Sequence, residues 1–218
     1  MTTTAETRSP ETDVPAARPA MTAPFEPLDL PPHRRAANLL ELIHRSVGEN
    51  GDREALRWKL PRTQRMTGGT SETDEQATWR STTYRETWDW IRDVALGLKS
   101  LGIGSGDRVC IMSRTRPAWL VGDVASMSLG AVSCPIYPSS EANQAAFIIN
   151  NVGAKLVFVE NAQQAAKLES VRAETPTVET VVVFDERGKL PEGALTFDQV
   201  FELAPTDAGN RMKWPLVS

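Results

Sequence analysis

The chain has 218 residues, of which 40% are hydrophobic and 24% are charged, and these values exclude disorder of the whole chain. Its length is enough for one domain with a substantial core and a terminal tail. The formal net charge is −4, so the chain lacks the strong positive field by which proteins bind nucleic acid.

The first 32 residues are rich in Thr, Pro, Ala and Glu. Such a segment cannot bury enough apolar surface to offset the entropy lost on ordering, so we expect residues 1–32 to be a disordered leader. No signal peptide is visible in residues 1–8, and no apolar stretch is long enough to span a bilayer. We therefore expect a cytoplasmic protein without a transmembrane segment, and peripheral contact with a membrane stays open.

The folded part is predicted to begin with a helix and a hairpin. Apolar residues at helical spacing predict a helix over residues 38–47, with Gly48 as its stop signal. Two short strands, over residues 54–59 and 78–81, flank a polar segment over residues 61–77. This pattern predicts a small β-hairpin with a long connection.

The clearest helix begins after Thr83. The hydroxyl of Thr83 and the carboxylate of Glu86 have the spacing of a capping box, and Gly102 is placed as a left-handed terminator. The apolar face of this helix carries Trp88, Ile91, Ala95, Leu98 and Leu101.

The remainder alternates between apolar strands and helices. Strands are predicted over residues 109–113, 131–137, 155–160 and 180–185. Helices are predicted over residues 117–129, 140–151 (capped by Ser140) and 162–173 (capped by Asn161), and a short last helix follows the capping box of Thr196 and Gln199. Strands with little polar alternation indicate an α/β domain over residues 33–204, with a mostly parallel sheet, helices on both faces and the small hairpin before it.

Two motifs are candidate ligand sites. The glycine-rich segment 102–107 follows a helix and precedes a strand, whereas a dinucleotide loop follows a strand and opens a helix. We interpret it as a helix cap and a turn. Ser139 and Ser140 stand where a strand gives way to a helix, which is the side on which parallel sheets bind ligands, but N-capping is the favoured interpretation.

The sequence predicts no catalytic, cofactor-binding or metal-binding residue. His33 and His44 lack a Ser or Cys partner nearby in sequence. Cys110 and Cys134 are interpreted as small hydrophobic residues within strands, and neither histidine stands at a ligand spacing from them. The remaining aromatic candidates are interpreted as packing residues: Trp88, Trp90 and Trp119.

An ordered series of segments resembles the AMP-forming acyl-CoA synthetases, the adenylate-forming ligases. The series consists of residues 83–86 with the helix to Gly102, then residues 106–109, 111–119 and 130–140. It is most similar to the long-chain fatty acid–CoA ligase branch, and the resemblance covers residues 38–204. The ordered series is more specific than any single glycine pattern.

The resemblance implies fatty acid metabolism: ATP and a fatty acid form an acyl-adenylate, and coenzyme A then displaces AMP, with magnesium on the phosphates. It transfers no site residue, because the family's Lys-terminated phosphate loop, aromatic-Thr-Glu segment, hinge Asp and C-terminal Lys have no match in this sequence. Residues 205–218 do not resemble the family and form an atypical tail. The resemblance thus implies an N-terminal fragment that is inactive alone.

Two alternatives stay open at this point. A non-catalytic binding or interaction module would keep the family's N-terminal fold without its chemistry. An ordinary dinucleotide-binding protein would need the glycines of segment 102–107 on the other side of a strand, which argues against it. The sequence leaves the acyl chain length and the oligomeric state undetermined.

Overall fold

The computed structural model describes residues 36–59 and 79–205. The predicted leader, the connection of the hairpin, His33 and nearly all of the predicted tail lie outside these ranges. The helices are α1 (Leu39–Asn50), α2 (Tyr84–Ser100), α3 (Pro117–Ser128), α4 (Ala142–Val152), α5 (Ala162–Glu169) and α6 (Phe197–Glu202), with a 3₁₀ turn at Arg172–Glu174. The strands are β1 (Glu54–Lys59), β2 (Trp79–Thr83), β3 (Arg108–Met112), β4 (Val132–Ile136), β5 (Leu156–Asn161), β6 (Thr180–Asp185) and β7 (Leu195–Thr196).

Five strands form one parallel sheet in the order β4-β3-β5-β6-β7. Consecutive strand residues face opposite sides of a sheet, and here both sides are apolar. Val109 and Ile111 pack in one layer with α2, α3 and α6, whereas Cys110 and Met112 pack in the other with α4 and α5. The predicted α/β fold, with a parallel sheet and helices on both faces, is confirmed.

The predicted hairpin is formed by β1 and β2, which pair antiparallel. Its inner side is held by Thr82, which is buried and whose hydroxyl lies 2.8 Å from that of Thr87 in α2. The second strand continues to Thr83 rather than ending at Ser81, because Thr82 and Thr83 still pair with β1. Thr83 is therefore both the last strand residue and the cap of α2.

The predicted capping residues stand at the helix ends in most cases. Thr83 and Glu86 form a reciprocal capping box on α2, and Thr196 and Gln199 form one on α6. These boxes satisfy amide groups that have no partner within the helix. Gly102 follows α2 with a φ of +82°, a conformation that residues with a Cβ rarely adopt.

Three predicted helix boundaries are wrong. Helix α1 runs through Gly48 to Asn50, because one glycine costs only about 1 kcal/mol and the side-chain Nδ2 of Asn50 donates to Ser46 O at 3.2 Å. The cap of α4 is Glu141, whose backbone amide donates to Gln144 Oε1 at 2.9 Å, so Ser140 does not cap this helix. Helix α5 ends at Glu169, since Val171 leaves the helical conformation and buries its side chain.

The predicted strands of the main sheet are confirmed with bounds that shift by at most one residue. The structure adds β7, which is two residues long and pairs with β6. Such a short segment carries no readable alternation, so the sequence did not reveal it. Among the described residues, no helix combines the length and the apolar character that crossing a bilayer requires.

The contact between α2 and α6 is unusually close at Gly97. A Cβ atom built on Gly97 would lie 1.9 Å from the carbonyl oxygen of Val200. Gly97 and Val200 are buried in the layer that also contains Phe158, Phe184 and Phe197, whose rings pack with centroids 5.1–6.0 Å apart. Only glycine at this position lets the two helix backbones meet.

The substitution Gly97→Ala should therefore lower the free energy of unfolding, by about 1–3 kcal/mol, because the new methyl group displaces the backbone of α6. Urea unfolding followed by tryptophan fluorescence measures the change. The matched control is Gly48→Ala in α1, where no atom lies within 4 Å of the added Cβ. That control should leave stability unchanged or raise it by roughly 0.5–1 kcal/mol. Equal effects of the two substitutions would contradict the close packing of α2 on α6.

Candidate functional site

The strand order identifies one edge of the sheet as the candidate site. The chain passes from β3 to β4 on one side, and then crosses to β5 on the other side of β3. The direction of winding therefore reverses between β3 and β5. In open parallel sheets, ligands bind outside the carboxyl ends of the strands at such a reversal.

An ion pair spans the crevice between the carboxyl ends of β3 and β5. The guanidinium of Arg114 donates to Glu160 Oε1 from Nη2 at 2.6 Å and from Nε at 2.9 Å. The amide of Arg114 also donates to Glu160 Oε2 at 2.9 Å. The Glu160 side chain is only 7% exposed, whereas that of Arg114 is 80% exposed, so the arginine covers a buried carboxylate.

This ion pair determines the charge state of Glu160. Burial raises the pKa of Glu160, but the hydrogen bonds from the Arg114 side chain and amide outweigh burial, and the net pKa is lowered. Glu160 is therefore ionised at neutral pH. Its two oxygens accept three hydrogen bonds from Arg114, which occupy most of the roughly four acceptor sites of a carboxylate.

A second ion pair stands at the carboxyl end of β6, with Arg116 between the two pairs. Arg187 donates to Asp185 from its side chain and its amide, and these hydrogen bonds lower the pKa of Asp185. Burial lowers the pKa of the Arg116 guanidinium, while the charges of Asp185 and Glu160 favour its charged form. Its Nη1 donates to the backbone oxygen of Glu160 at 3.4 Å.

An open pocket of about 640 Å³ lies beside this network, over the carboxyl ends of β3 and β4. Its walls are mainly apolar and aromatic, and Tyr137 is 82% exposed. The lining residues are Ser113, Arg114, Thr115, Trp119 and the segment 135–139. An apolar pocket with a few polar groups at a sheet edge is the usual form of a small-molecule site.

Helix α5 holds one wall of this pocket in place. The Lys167 ammonium donates to Pro138 O at 3.0 Å and to Ser140 O at 2.7 Å. The side-chain amide of Gln164 donates to Pro138 O at 3.0 Å. These three hydrogen bonds satisfy carbonyl groups of the loop after β4 and fix its path.

The structure places the two candidate motifs at opposite ends of the sheet. Ser139 lines the pocket, and Ser140 contributes its carbonyl to the bond with Lys167 rather than a cap. The segment 102–107 lies at the opposite, amino end of the sheet, where it joins α2 to β3 as a cap and turn. Within it, the amide of Gly104 donates to Asp107 Oδ2 at 2.9 Å.

The predicted packing residues have mixed positions. Trp90 is buried in the core, Trp88 packs partly buried against it, and Trp119 reaches from that layer into the pocket wall. His44 is exposed and its ring lies 5.4 Å from that of Trp88. Both cysteines are in strands, as expected, with Cys110 buried and Cys134 half-buried.

Sequence reasoning missed the charged network altogether. Each residue of the network lies at the carboxyl end of a buried strand or within a few residues after it, and this position is a weak signal that the sequence contains. The residues are Arg114, Arg116, Glu160, Asp185 and Arg187. The ion pair between Arg114 and Glu160 joins residues that are 46 positions apart. No local pattern indicates such a pair.

The described residues do not fit the magnesium site that the resemblance implies. No group of three or more metal-binding side chains occurs among residues 36–59 and 79–205. The two carboxylates at the carboxyl edge, Glu160 and Asp185, are each engaged by an arginine. A Mg²⁺ ion at this network would therefore have to compete with a guanidinium for each carboxylate.

A group of acidic side chains lies near the end of β6. Burial, together with the smaller effects of the charges of Glu186 and Glu202, raises the pKa of Asp198 to about 6. Asp198 stands in the first turn of α6. The ionised form of Asp198 is thus disfavoured in the folded chain.

A model of the AMP-binding enzyme family matches residues 43–213. A long-chain-fatty-acid–CoA ligase of Mycobacterium tuberculosis, FadD15, is 36% identical over 104 residues, which are 48% of this chain and 17% of that protein. A long-chain-fatty-acid–CoA ligase of Thermus thermophilus is 32% identical over 118 residues, 54% of this chain and 21% of that protein. An uncharacterized protein of M. tuberculosis is 34% identical over 103 residues, 47% of this chain and 57% of that protein.

Solved structures share the fold. The anthranilate CoA ligase AuaEII, in complex with anthranoyl-AMP, superposes with a TM-score of 0.61 and 21% identity, over 77% of this chain and 28% of that chain. The A-PCP didomain of a carboxylic acid reductase from Segniliparus rugosus, in complex with AMP, gives a TM-score of 0.64 and 17% identity, over 84% and 28%. The matched part of each is thus a small share of its length.

The substitution Glu160→Gln should lower the free energy of unfolding at neutral pH by about 1–2 kcal/mol, because it removes a charge-assisted pair whose carboxylate is buried. Since the folded pKa of Glu160 is lowered, this stabilisation exists above the unfolded pKa and is lost as pH falls below it. The difference between variant and parent in urea unfolding should therefore shrink below about pH 4.5. A constant difference from pH 7 to pH 3, or a similar effect of Glu192→Gln at an exposed site, would contradict this assignment.

The substitution Asp198→Asn should raise the free energy of unfolding at pH 7 by roughly 1 kcal/mol, because it removes a charge that the folded chain disfavours. A raised folded pKa makes the parent lose stability as pH rises through the interval from about 4 to 6. Urea unfolding at several pH values checks this, and the advantage of the variant should vanish near pH 4. A stability advantage of the variant that persists at pH 4, or no advantage at pH 7, would refute the raised pKa of Asp198.

Proposed function

Because the chain belongs to the AMP-binding enzyme family, we propose that it is the N-terminal part of an ATP-dependent long-chain fatty acid–CoA ligase. The observation that carries this proposal is the similarity to long-chain ligases of two bacteria. The aligned segments are about a fifth or less of those proteins. The whole reaction is therefore proposed for a longer ligase, of which this chain forms one part. We keep the cytoplasmic location expected from the sequence.

In the proposed reaction, a fatty acid carboxylate attacks the α-phosphate of ATP, and pyrophosphate leaves. The thiol of coenzyme A then attacks the acyl carbonyl of the acyl-adenylate, and AMP leaves. The described residues of this chain contribute the carboxyl edge of the sheet, with the aromatic pocket near Trp119 and Tyr137. The chain's own carboxylates at this edge stay in ion pairs, so we assign them a structural role rather than a catalytic one.

We also propose that these 218 residues do not form acyl-CoA by themselves. The sequence contains no Ser/Thr/Gly-rich loop ending in Lys, and Glu160 and Asp185 at the carboxyl edge are each paired with an arginine. Catalysis by positioning and charge stabilisation then lacks the groups that face the phosphates. Fatty acid, ATP, magnesium and coenzyme A are ligands of the complete protein.

The purified chain should show no formation of palmitoyl-CoA from ATP, magnesium, palmitate and coenzyme A. A chimera of the M. tuberculosis ligase FadD15, in which the aligned segment is replaced by that of this chain, should retain activity with long-chain acids, because the segment supplies the same part of the fold. Chromatographic detection of palmitoyl-CoA measures the activity of the purified chain and of the chimera. Activity of the isolated chain would refute its dependence on further sequence, and a folded but inactive chimera would contradict the ligase assignment.

The match to an uncharacterized M. tuberculosis protein favours one second candidate. The aligned segment makes up 57% of that protein, against 17% of the ligase. A non-catalytic interaction module that retains the N-terminal fold is consistent with such a relative. The chimera separates the two candidates. An active chimera supports the ligase fragment, whereas the segment of a non-catalytic module is not expected to restore ligase activity.

A further inference from the structure

We propose that Cys110 and Cys134 form an oxidisable dithiol, which a peroxide converts into a disulfide joining the edge strand β4 to β3. The two residues are direct register partners on these neighbouring parallel strands. The chain has no other cysteine, so each thiol has a single partner within the molecule. This proposal is independent of the proposed ligase function.

The geometry of the pair suits a disulfide at the level of the backbone. Neighbouring parallel strands lie about 4.8 Å apart, which is within the Cα separations of about 4.4–6.8 Å that disulfides span. Register partners point to the same face of a sheet, and both cysteines pack in the layer with α4 and α5. The neighbouring Cys134 thiol also contributes to the raised pKa of Cys110.

The two thiols differ in access. Cys134 is half-buried on a strand that pairs on one side only within the described sheet, whereas Cys110 is fully buried in β3. Burial and, to a smaller extent, the neighbouring Cys134 raise the pKa of Cys110 to about 12. A thiol so rarely ionised is a poor nucleophile for a dissolved oxidant. Peroxide therefore reacts first at Cys134, and Cys110 acts as the resolving thiol.

The oxidation balances in two steps. The Cys134 sulfur attacks one peroxide oxygen, the O–O bond breaks, and the products are a sulfenic acid and water. The Cys110 sulfur then attacks the sulfenic sulfur, the S–O bond breaks, and the thiol proton leaves with the hydroxyl as a second water. Two thiols thus lose two electrons to one hydrogen peroxide, which is reduced to two molecules of water.

The disulfide requires a local movement of β4. Its Cβ atoms must approach to about 3.5–4.5 Å, which is closer than the spacing of parallel strands. The edge position of β4 allows this shift, and Pro135 lacks an amide donor that a further strand would need. Strained disulfides are readily reduced, so the bond should be reversible. The segment 135–139, which continues from β4, carries one wall of the pocket, so oxidation would move that wall toward Ser113.

The test is the mass of the whole chain after mild oxidation. Reduced protein is treated with hydrogen peroxide at neutral pH, and free thiols are then blocked with N-ethylmaleimide in denaturant. The expected product is a monomer whose mass is lower than that of the reduced chain by two hydrogens and which carries no maleimide. After treatment with reduced glutathione, both cysteines should again take up maleimide. Trypsin should release segment 109–114 joined to segment 115–155. A sulfinic acid at Cys134 with Cys110 still blocked by maleimide, or a disulfide-linked dimer, would overturn the proposal.

Two single variants test the order of the steps. In Cys134→Ala, the buried Cys110 should stay unmodified by the same peroxide treatment and take up one maleimide afterwards. In Cys110→Ala, Cys134 should proceed to the sulfinic acid or to a dimer, because its resolving thiol is gone. Rapid oxidation of Cys110 in the first variant would overturn the assigned order. The mass of the oxidised parent decides the proposal even where a variant fails to fold.

Discussion

The structure depends on one constraint, which is that the five parallel strands are covered by apolar layers on both faces. Neighbouring residues of β3 belong to opposite layers, with Ile111 in one and Met112 in the other. Burial on this scale stabilises the sheet by roughly 25 cal/mol for each Å² of apolar surface removed from water. It also places the charged side chains of these strands at or next to their terminal residues, so the chemistry of the sheet is confined to its ends.

The carboxyl end shows how that confinement shapes a site. Glu160 and Asp185 are the carboxylates that the strands bring to this end, and Arg114 and Arg187 hold both of them. Arg116 lies between the pairs, where burial opposes its charge and two carboxylates favour it. The network thus has three guanidinium groups against two carboxylates, and it extends from the carboxyl end of β3 to that of β6. The open volume lies instead over β3 and β4, against aromatic and proline side chains.

The sequence was sufficient for the elements that local physics determines. Periodic apolar residues and the capping pairs of α2 and α6 identified the helices, and the continuous apolar runs identified four parallel strands. It was insufficient where distant segments decide the outcome. The ion pair of Arg114 and Glu160, the clamp of Lys167 on the loop after β4 and the approach of Gly97 to Val200 all arise from packing between elements far apart in the chain. The predicted cap of α4 was wrong for a different reason. Glu141 occupies the capping position, although the neighbouring Ser140 is the more common type of capping residue.

In the proposed function, this chain supplies fold and pocket walls to a ligase whose phosphate-binding groups lie outside these 218 residues. The nucleotide sequence directly downstream of the coding region, translated in every forward frame, tests this description most directly. It should encode a Ser/Thr/Gly-rich loop ending in Lys, followed by an aromatic-Thr-Glu segment. Downstream sequence unrelated to the family in all frames would contradict a ligase origin and leave the interaction module as the function of this fold.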